Sequence, residues 1–175
     1  MKIQTSRFGE VEIAPDDTLE FAEGLLGFGQ LRRFVLLDDQ NDEIFAWLQS
    51  CENPGIAFPV LEPELFAPNY QIEPTKSDLE GIGISQMAEG RLLTIVTIPV
   101  DPTQMTANLK APIVVNPKTR AARQCVLQDN SLQIREPIFT KLQQRVVQNP
   151  NLSLKAQAQT MGAVRISRRA PEAEA

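Results

Sequence analysis

The chain has 175 residues, 42% of them hydrophobic and only 6% aromatic, enough to bury one core built chiefly from Ile, Val and Leu. It carries 17 Lys and Arg against 22 Asp and Glu, a formal charge of −5, and no histidine, which excludes every serine or cysteine triad that relies on an imidazole. No apolar run reaches the ~20 residues of a membrane span, the first residues lack a signal peptide's apolar stretch, and Cys51 and Cys125 stand without CxxC spacing. A cytoplasmic protein with reduced thiols and no cofactor or metal is expected.

The first predicted strand is where Val11 and Ile13 alternate with Glu10 and Glu12 after a turn at Phe8-Gly9. Gly24-Leu25-Leu26-Gly27-Phe28-Gly29 follows. No Gly-Lys-Ser/Thr succeeds it and its other residues are large and apolar, so its glycines read as backbone positions of unusual φ rather than as a phosphate cradle. Phe34–Leu37 and Ile44–Leu48 are apolar runs joined by the polar segment Asp38–Glu43, which predicts a hairpin. In the second run Phe45, Trp47 and Gln49 share one face, and Ile44, Ala46 and Leu48 the other. Trp47 therefore either centres the core or, with Gln49, flanks a recognition surface. The paired carboxylates Asp16/Asp17 and Asp38/Asp39 read as solvated turn residues, since neighbours on a strand point to opposite faces.

A strand is expected over Ile56–Leu61, with Pro59 marking it as an edge strand or a bulge. Ser77-Asp78-Leu79-Glu80 has capping-box spacing and predicts one short helix before Gly81 or Gly83. Further strands are predicted at Leu92–Val100, Ile113–Val115 and Gln124–Leu127. Many short strands without alternating long helices imply a mainly β domain, an antiparallel sandwich or barrel, over residues 1–139. Beyond it, Phe139, Leu142 and Val146 recur at helical spacing, so Ile138–Gln148 is predicted to be an amphipathic helix ending before Pro150. Leu154–Met161 is a second, weaker helical stretch, and Arg165–Ala175 is polar enough to be expected disordered. Residues 140–175 thus form a C-terminal extension, and a chain cut after Asn149 is expected to fold.

Charge is unevenly spread. Residues 1–80 hold 16 acidic and 5 basic side chains, and residues 81–175 hold 6 acidic and 12 basic. An acidic half repels nucleic acid and suits a basic protein partner. Glu62 and Glu64, which flank Pro63, and the Asp38–Glu43 turn are the candidate acidic contacts. With catalysis unsupported, binding remains: Leu25, Leu26, Phe28 and Trp47 either pack the core or line a groove for an apolar helix.

Thr5-Ser6-Arg7-Phe8-Gly9, Gly24-Leu25-Leu26-Gly27-Phe28, Phe45-Ala46-Trp47-Leu48-Gln49-Ser50, Pro68-Asn69-Tyr70, Thr106-Ala107-Asn108-Leu109-Lys110-Ala111-Pro112-Ile113-Val114-Val115-Asn116 and Arg123-Gln124-Cys125-Val126-Leu127 stand in one order and spacing. In these motifs the chain resembles the flagellar assembly factor FliW family over residues 1–139. It departs in lacking a histidine in Arg135-Glu136-Pro137-Ile138-Phe139 and in continuing for 36 further residues. The resemblance implies a partly open, β-barrel-like antiparallel sheet with one short helix, and a non-enzymatic regulator that is monomeric when free. Its implied partners are flagellin and the translational repressor CsrA, with no direct contact to nucleic acid or membrane. CsrA bound in this way no longer silences flagellin mRNA. The Thr106–Leu109 loop is the expected recognition element, and Thr106, Asn108, Leu109, Trp47, Gln49, Phe28, Glu62 and Glu64 form the candidate partner-binding set. The alternative, a small-ligand carrier or cryptic enzyme on a β-barrel, needs a pocket with converging polar groups, which the sequence does not offer.

Overall fold

In the computed structural model, which describes residues 1–151, 154–155 and 161–166, strands β1 (Lys2–Thr5) and β2 (Gly9–Glu12) form an antiparallel hairpin. Strands β3 (Thr18–Phe21), β4 (Arg33–Asp39), β5 (Ala46–Ser50) and β6 (Ala57–Leu61) form an antiparallel meander. Helix α1 (Lys76–Gly81) then leads to β7 (Arg91–Thr97), β8 (Thr106–Ala107), β9 (Ile113–Val115) and β10 (Ala121–Gln124). The chain continues through β11 (Glu136–Pro137), helix α2 (Phe139–Gln148) and β12 (Val164–Ile166).

Strand β7 pairs with β6 on one side (Val60↔Ile95) and with β9 on the other (Leu92↔Val114), so the order β7-β6-β5-β4-β3-β10-β9 closes on itself. The barrel is closed, not partly open as the resemblance implied. Its pairings are antiparallel except for β3 with β10 (Glu20↔Ala121), and outside the ring β12 lies parallel to β4.

Side-chain alternation builds two cores. Leu19, Phe21, Phe34, Leu36, Ala46, Leu48, Leu93, Ile113 and Val115 belong to the cluster that fills the barrel. The opposite faces of β4 and β5, with Val35, Leu37, Phe45 and Trp47, belong to a second cluster outside it. That cluster is covered by Ile3, Val11 and Ile13 of the hairpin region, by Leu65 and Phe66, and by Ile138, Leu142, Leu154 and Ile166 from the C-terminal third. Both faces of β4 and β5 are therefore buried.

Several local expectations shift. Pro59 lies on an internal strand, yet costs no ladder bond. Ser50 N–H donates to Ile56 O at 2.9 Å, which makes Trp47↔Pro59 a non-bonded pair, and pairing to β7 begins only at Val60. The cap of α1 is Thr75, not Ser77: Thr75 Oγ1 accepts from Asp78 N–H at 3.1 Å, and the Asp78 carboxylate accepts from Thr75 N–H at 3.3 Å. Gly24, at φ +67°, is confirmed as a special backbone position, since a Cβ there would stand 2.6 Å from Phe28 O.

Helix α2 matches the predicted amphipathic helix, with Leu142 buried beneath it. The segments beyond it are drawn into the body. Leu154, Met161 and Ile166 are buried, and β12 pairs Val164, Arg165 and Ile166 with Leu37, Asp38 and Asp39. Arg165 is thus part of a strand rather than of a disordered end. The rest of the predicted second helix, residues 156–160, and the basic end with Arg168 and Arg169 lie outside the described residues.

Candidate partner-binding surfaces

Trp47 is 6% exposed, and its environment is built by neighbours on both sides. The indole Nε1–H donates to Asp42 Oδ2 at 3.0 Å, Phe8 meets the ring edge-on at 6.2 Å, and the Arg7 guanidinium sits 3.8 Å above its centroid. Gln49 is fully buried, and its Nε2 donates to the carbonyls of Ser50, Ile56 and Pro54, shaping the β5–β6 turn. Of the two roles the sequence left open for Trp47, the structure shows the core one. The reason is the second core: the face opposite the barrel interior is covered by the hairpin and the C-terminal segments.

The loop after β8 is likewise ordered from within. Asn108 Oδ1 accepts from the N–H groups of Lys110 (3.1 Å) and Ala111 (3.0 Å), an Asx turn that reverses the chain ahead of β9. Leu109 is buried, donates its N–H to Gln133 O, and accepts at 2.5 Å from the Tyr70 hydroxyl. Burial pushes the Tyr70 phenol well above its ordinary range, so the hydroxyl stays a donor. Thr106, in β8, is half-buried and pairs with Thr97 and Pro137.

Phe28 is half-buried at one end of the barrel, edge-on to Phe58 at 5.6 Å. Glu64 is exposed and Glu62 half-buried; burial, and then the neighbouring Glu64 charge, push the Glu62 carboxyl up to about 7. Of the acidic turn, Asp38 and Asp39 are buried, at 3% and 5% exposure, rather than solvated. Lys155 Nζ explains this, since it forms a buried ion pair with Asp38 and donates to Asp39 O at 3.1 Å. Asp42 turns inward to accept from Ile44 and Phe45 N–H, which leaves Glu43 as the turn's exposed carboxylate.

An open groove of about 950 Å³ is lined by the extended segment Tyr70–Thr75 and the segment Val126–Asp129, and of the candidate set only Glu64 lines it. Sequence reasoning missed this groove. Its signal was the strandless, proline-bounded stretch from Pro68 to Pro74. A second, more apolar groove of about 630 Å³ runs along α2, beside Ile44 and the exposed Val146 and Val147.

Among the described residues, no group of three or more His, Cys, Asp or Glu side chains is placed to hold a metal ion. Burial pushes the Cys51 thiol up to about 11 and the Cys125 thiol up to about 12, so neither is a ready nucleophile at neutral pH. These features define a small closed-barrel β protein with open grooves on its surface. The sequence profile of the FliW protein family matches residues 2–138, and the chain belongs to that family. It is 68% identical over 158 residues to the flagellar assembly factor FliW of Bdellovibrio bacteriovorus, covering 90% of each chain. It is 39% identical over 140 residues to that of Leptospira interrogans, covering 79% of this chain and 93% of the relative. A crystal structure of the flagellar assembly factor FliW superposes with a TM-score of 0.74 at 32% identity, covering 79% of this chain and 97% of that one.

Proposed function

We propose that this chain is a cytoplasmic flagellar assembly factor that binds flagellin and the translational repressor CsrA, relieving repression of flagellin mRNA when flagellin has been exported. Family membership carries the reading: similarity to a protein named flagellar assembly factor extends over nine-tenths of both chains. Flagellin removes the free regulator by mass action, and CsrA responds to what remains, so the switch needs only two coupled binding equilibria. Thr106, Asn108, Phe28, Glu62 and Glu64 are the members of the candidate set with exposed or half-buried side chains; Asn108 holds its own turn, which leaves Thr106, Phe28, Glu62 and Glu64 as the first choices for contact. Trp47, Gln49, Asn108 and Leu109 act in this proposal by holding the loops that present them. The 1–139 domain supplies these contacts, and the extension beyond it supplies stability.

Gel filtration of the purified chain with flagellin, with CsrA, and with both is the test. Each partner alone should co-elute with the chain, and CsrA should be released as flagellin is added. The CsrA complex should weaken as salt rises, because exposed carboxylates are screened over ~8–10 Å at moderate ionic strength. Co-elution with neither partner would refute the proposal.

A further inference from the structure

We propose that the large groove is a strand-addition site, in which the outer edge of Val126–Gln128 takes an extended protein segment whose side chains alternate between apolar and basic. This inference is independent of the flagellin and CsrA reading, since it concerns which chemistry the groove accepts. The edge is left open by the β9–β10 hairpin. Beyond β10 the ladder continues as Cys125 N–H donates to Pro112 O at 2.9 Å and Leu127 N–H to Lys110 O at 2.8 Å. Antiparallel geometry then points the N–H and C=O of the intervening Val126, and those of Gln128, to the opposite edge. Strand β3 covers that edge only as far as Ala122. Among the described residues, the backbone groups of Val126 and Gln128 have no hydrogen-bond partner, and both residues line the groove. Unpaired strand edges of this kind are templates for another strand.

The groove's side chains specify the added strand. Ile72, Leu92 and Val126 give it an apolar lining, with Val126 46% exposed. Its charged lining residues are Glu64, Glu73 and Asp129, all acidic, with no Lys or Arg among them. Glu64, Glu73 and Asp129 reach the lining from three separate stretches of the chain, so one charge sign runs through the groove. An added strand projects alternate residues to opposite sides. One set meets the apolar lining and the other, if basic, meets the carboxylates. An acidic or helical segment satisfies neither demand.

The probe is an acetylated, amidated heptapeptide of alternating valine and lysine, titrated into the full chain and followed by amide NMR shifts and fluorescence anisotropy. Three comparisons accompany it: a twin with glutamate for lysine, a twin N-methylated at alternate residues, and the chain carrying Glu73→Lys. Binding should shift the amides of Val126 and Gln128. N-methylation should weaken it about fivefold for each backbone bond lost, the glutamate twin should bind at least tenfold more weakly, and Glu73→Lys should weaken the lysine peptide severalfold. Glu73 is exposed on a strandless segment, so that variant keeps its fold. Equal binding of the lysine and glutamate peptides, indifference to N-methylation, shifts confined to the α2 face, or no binding of the lysine peptide would each overturn the proposal.

Discussion

Replacing Lys155 with methionine isolates the contact that ties the C-terminal third to the barrel. Lys155 is 8% exposed and Asp38 3%, and the two meet as an ion pair, with a further bond from Lys155 Nζ to Asp39 O. Methionine keeps most of the volume but leaves the Asp38 carboxylate buried opposite an apolar side chain. Removing one partner of a buried pair costs about 3–5 kcal/mol, whereas replacing both by groups that need no charge is often nearly neutral. For a chain of this size 1 kcal/mol corresponds to roughly 2–4 °C, so Lys155→Met should lower the melting temperature by about 10 °C. Asp38→Asn combined with Lys155→Met should recover most of that loss. Urea denaturation of the wild type, both single variants and the double variant measures the coupling directly. A single variant within about 1 kcal/mol of wild type, or single losses that simply add, would refute the buried-pair account.

Truncation after Asn149 should destabilise strongly, against the expectation from sequence, because it removes the buried Leu154, Met161 and Ile166. At about 1.5–3 kcal/mol for each side chain the loss is roughly 5–9 kcal/mol, comparable to a whole domain's stability, and thermal melting of the truncated chain checks it. Glu62 titrates in the fold at about 7, above its ordinary 4.5. Its contribution to stability is therefore present below pH 4.5 and lost as pH rises through 7. Glu62→Gln should accordingly gain on the wild type between pH 5 and 8, by roughly 1 kcal/mol once solvent screening of a half-exposed group is allowed for, as read from urea midpoints across that range. Asn108→Ala should lower stability by about 1–2 kcal/mol, since two backbone N–H groups lose their acceptor. Its melting temperature should fall together with any loss of partner affinity.

The period-two alternation of Val11 and Ile13, the apolar runs at Phe34–Leu37 and Ile44–Leu48, and the helical spacing of Phe139, Leu142 and Val146 all reported true elements, because each buries a face whose period local sequence records. What could not be read was ring closure. It depends on β7 meeting β9 at Leu92↔Val114 and on β3 meeting β10 in parallel, pairings between segments far apart in the chain. The strand Val164–Ile166 is hidden in the sequence for a related reason. Val164-Arg165-Ile166 is too short and too polar to announce a strand, and it becomes one by pairing with Leu37–Asp39, where Lys155 also meets Asp38.

The same closure explains why the candidate site was only partly legible. Faces of a half-buried strand can be sorted from sequence into core and surface only when one of them meets water. In β5 neither does: Ala46 and Leu48 fill the barrel, while Trp47 sits under the hairpin and Gln49 under its own turn. The aromatic and amide residues that looked like recognition groups were therefore spent on holding Asp42, Arg7 and the β5–β6 turn in place. A barrel covered on its outer face leaves recognition to what the coverings do not reach. The groove lined by Tyr70–Thr75 and Val126–Asp129 and the apolar channel along α2 are two such uncovered places. Neither has a residue motif, because each is made by an edge or a gap between elements rather than by a run of side chains. A partner that reads this protein should accordingly depend more on backbone edges and groove carboxylates than on Trp47.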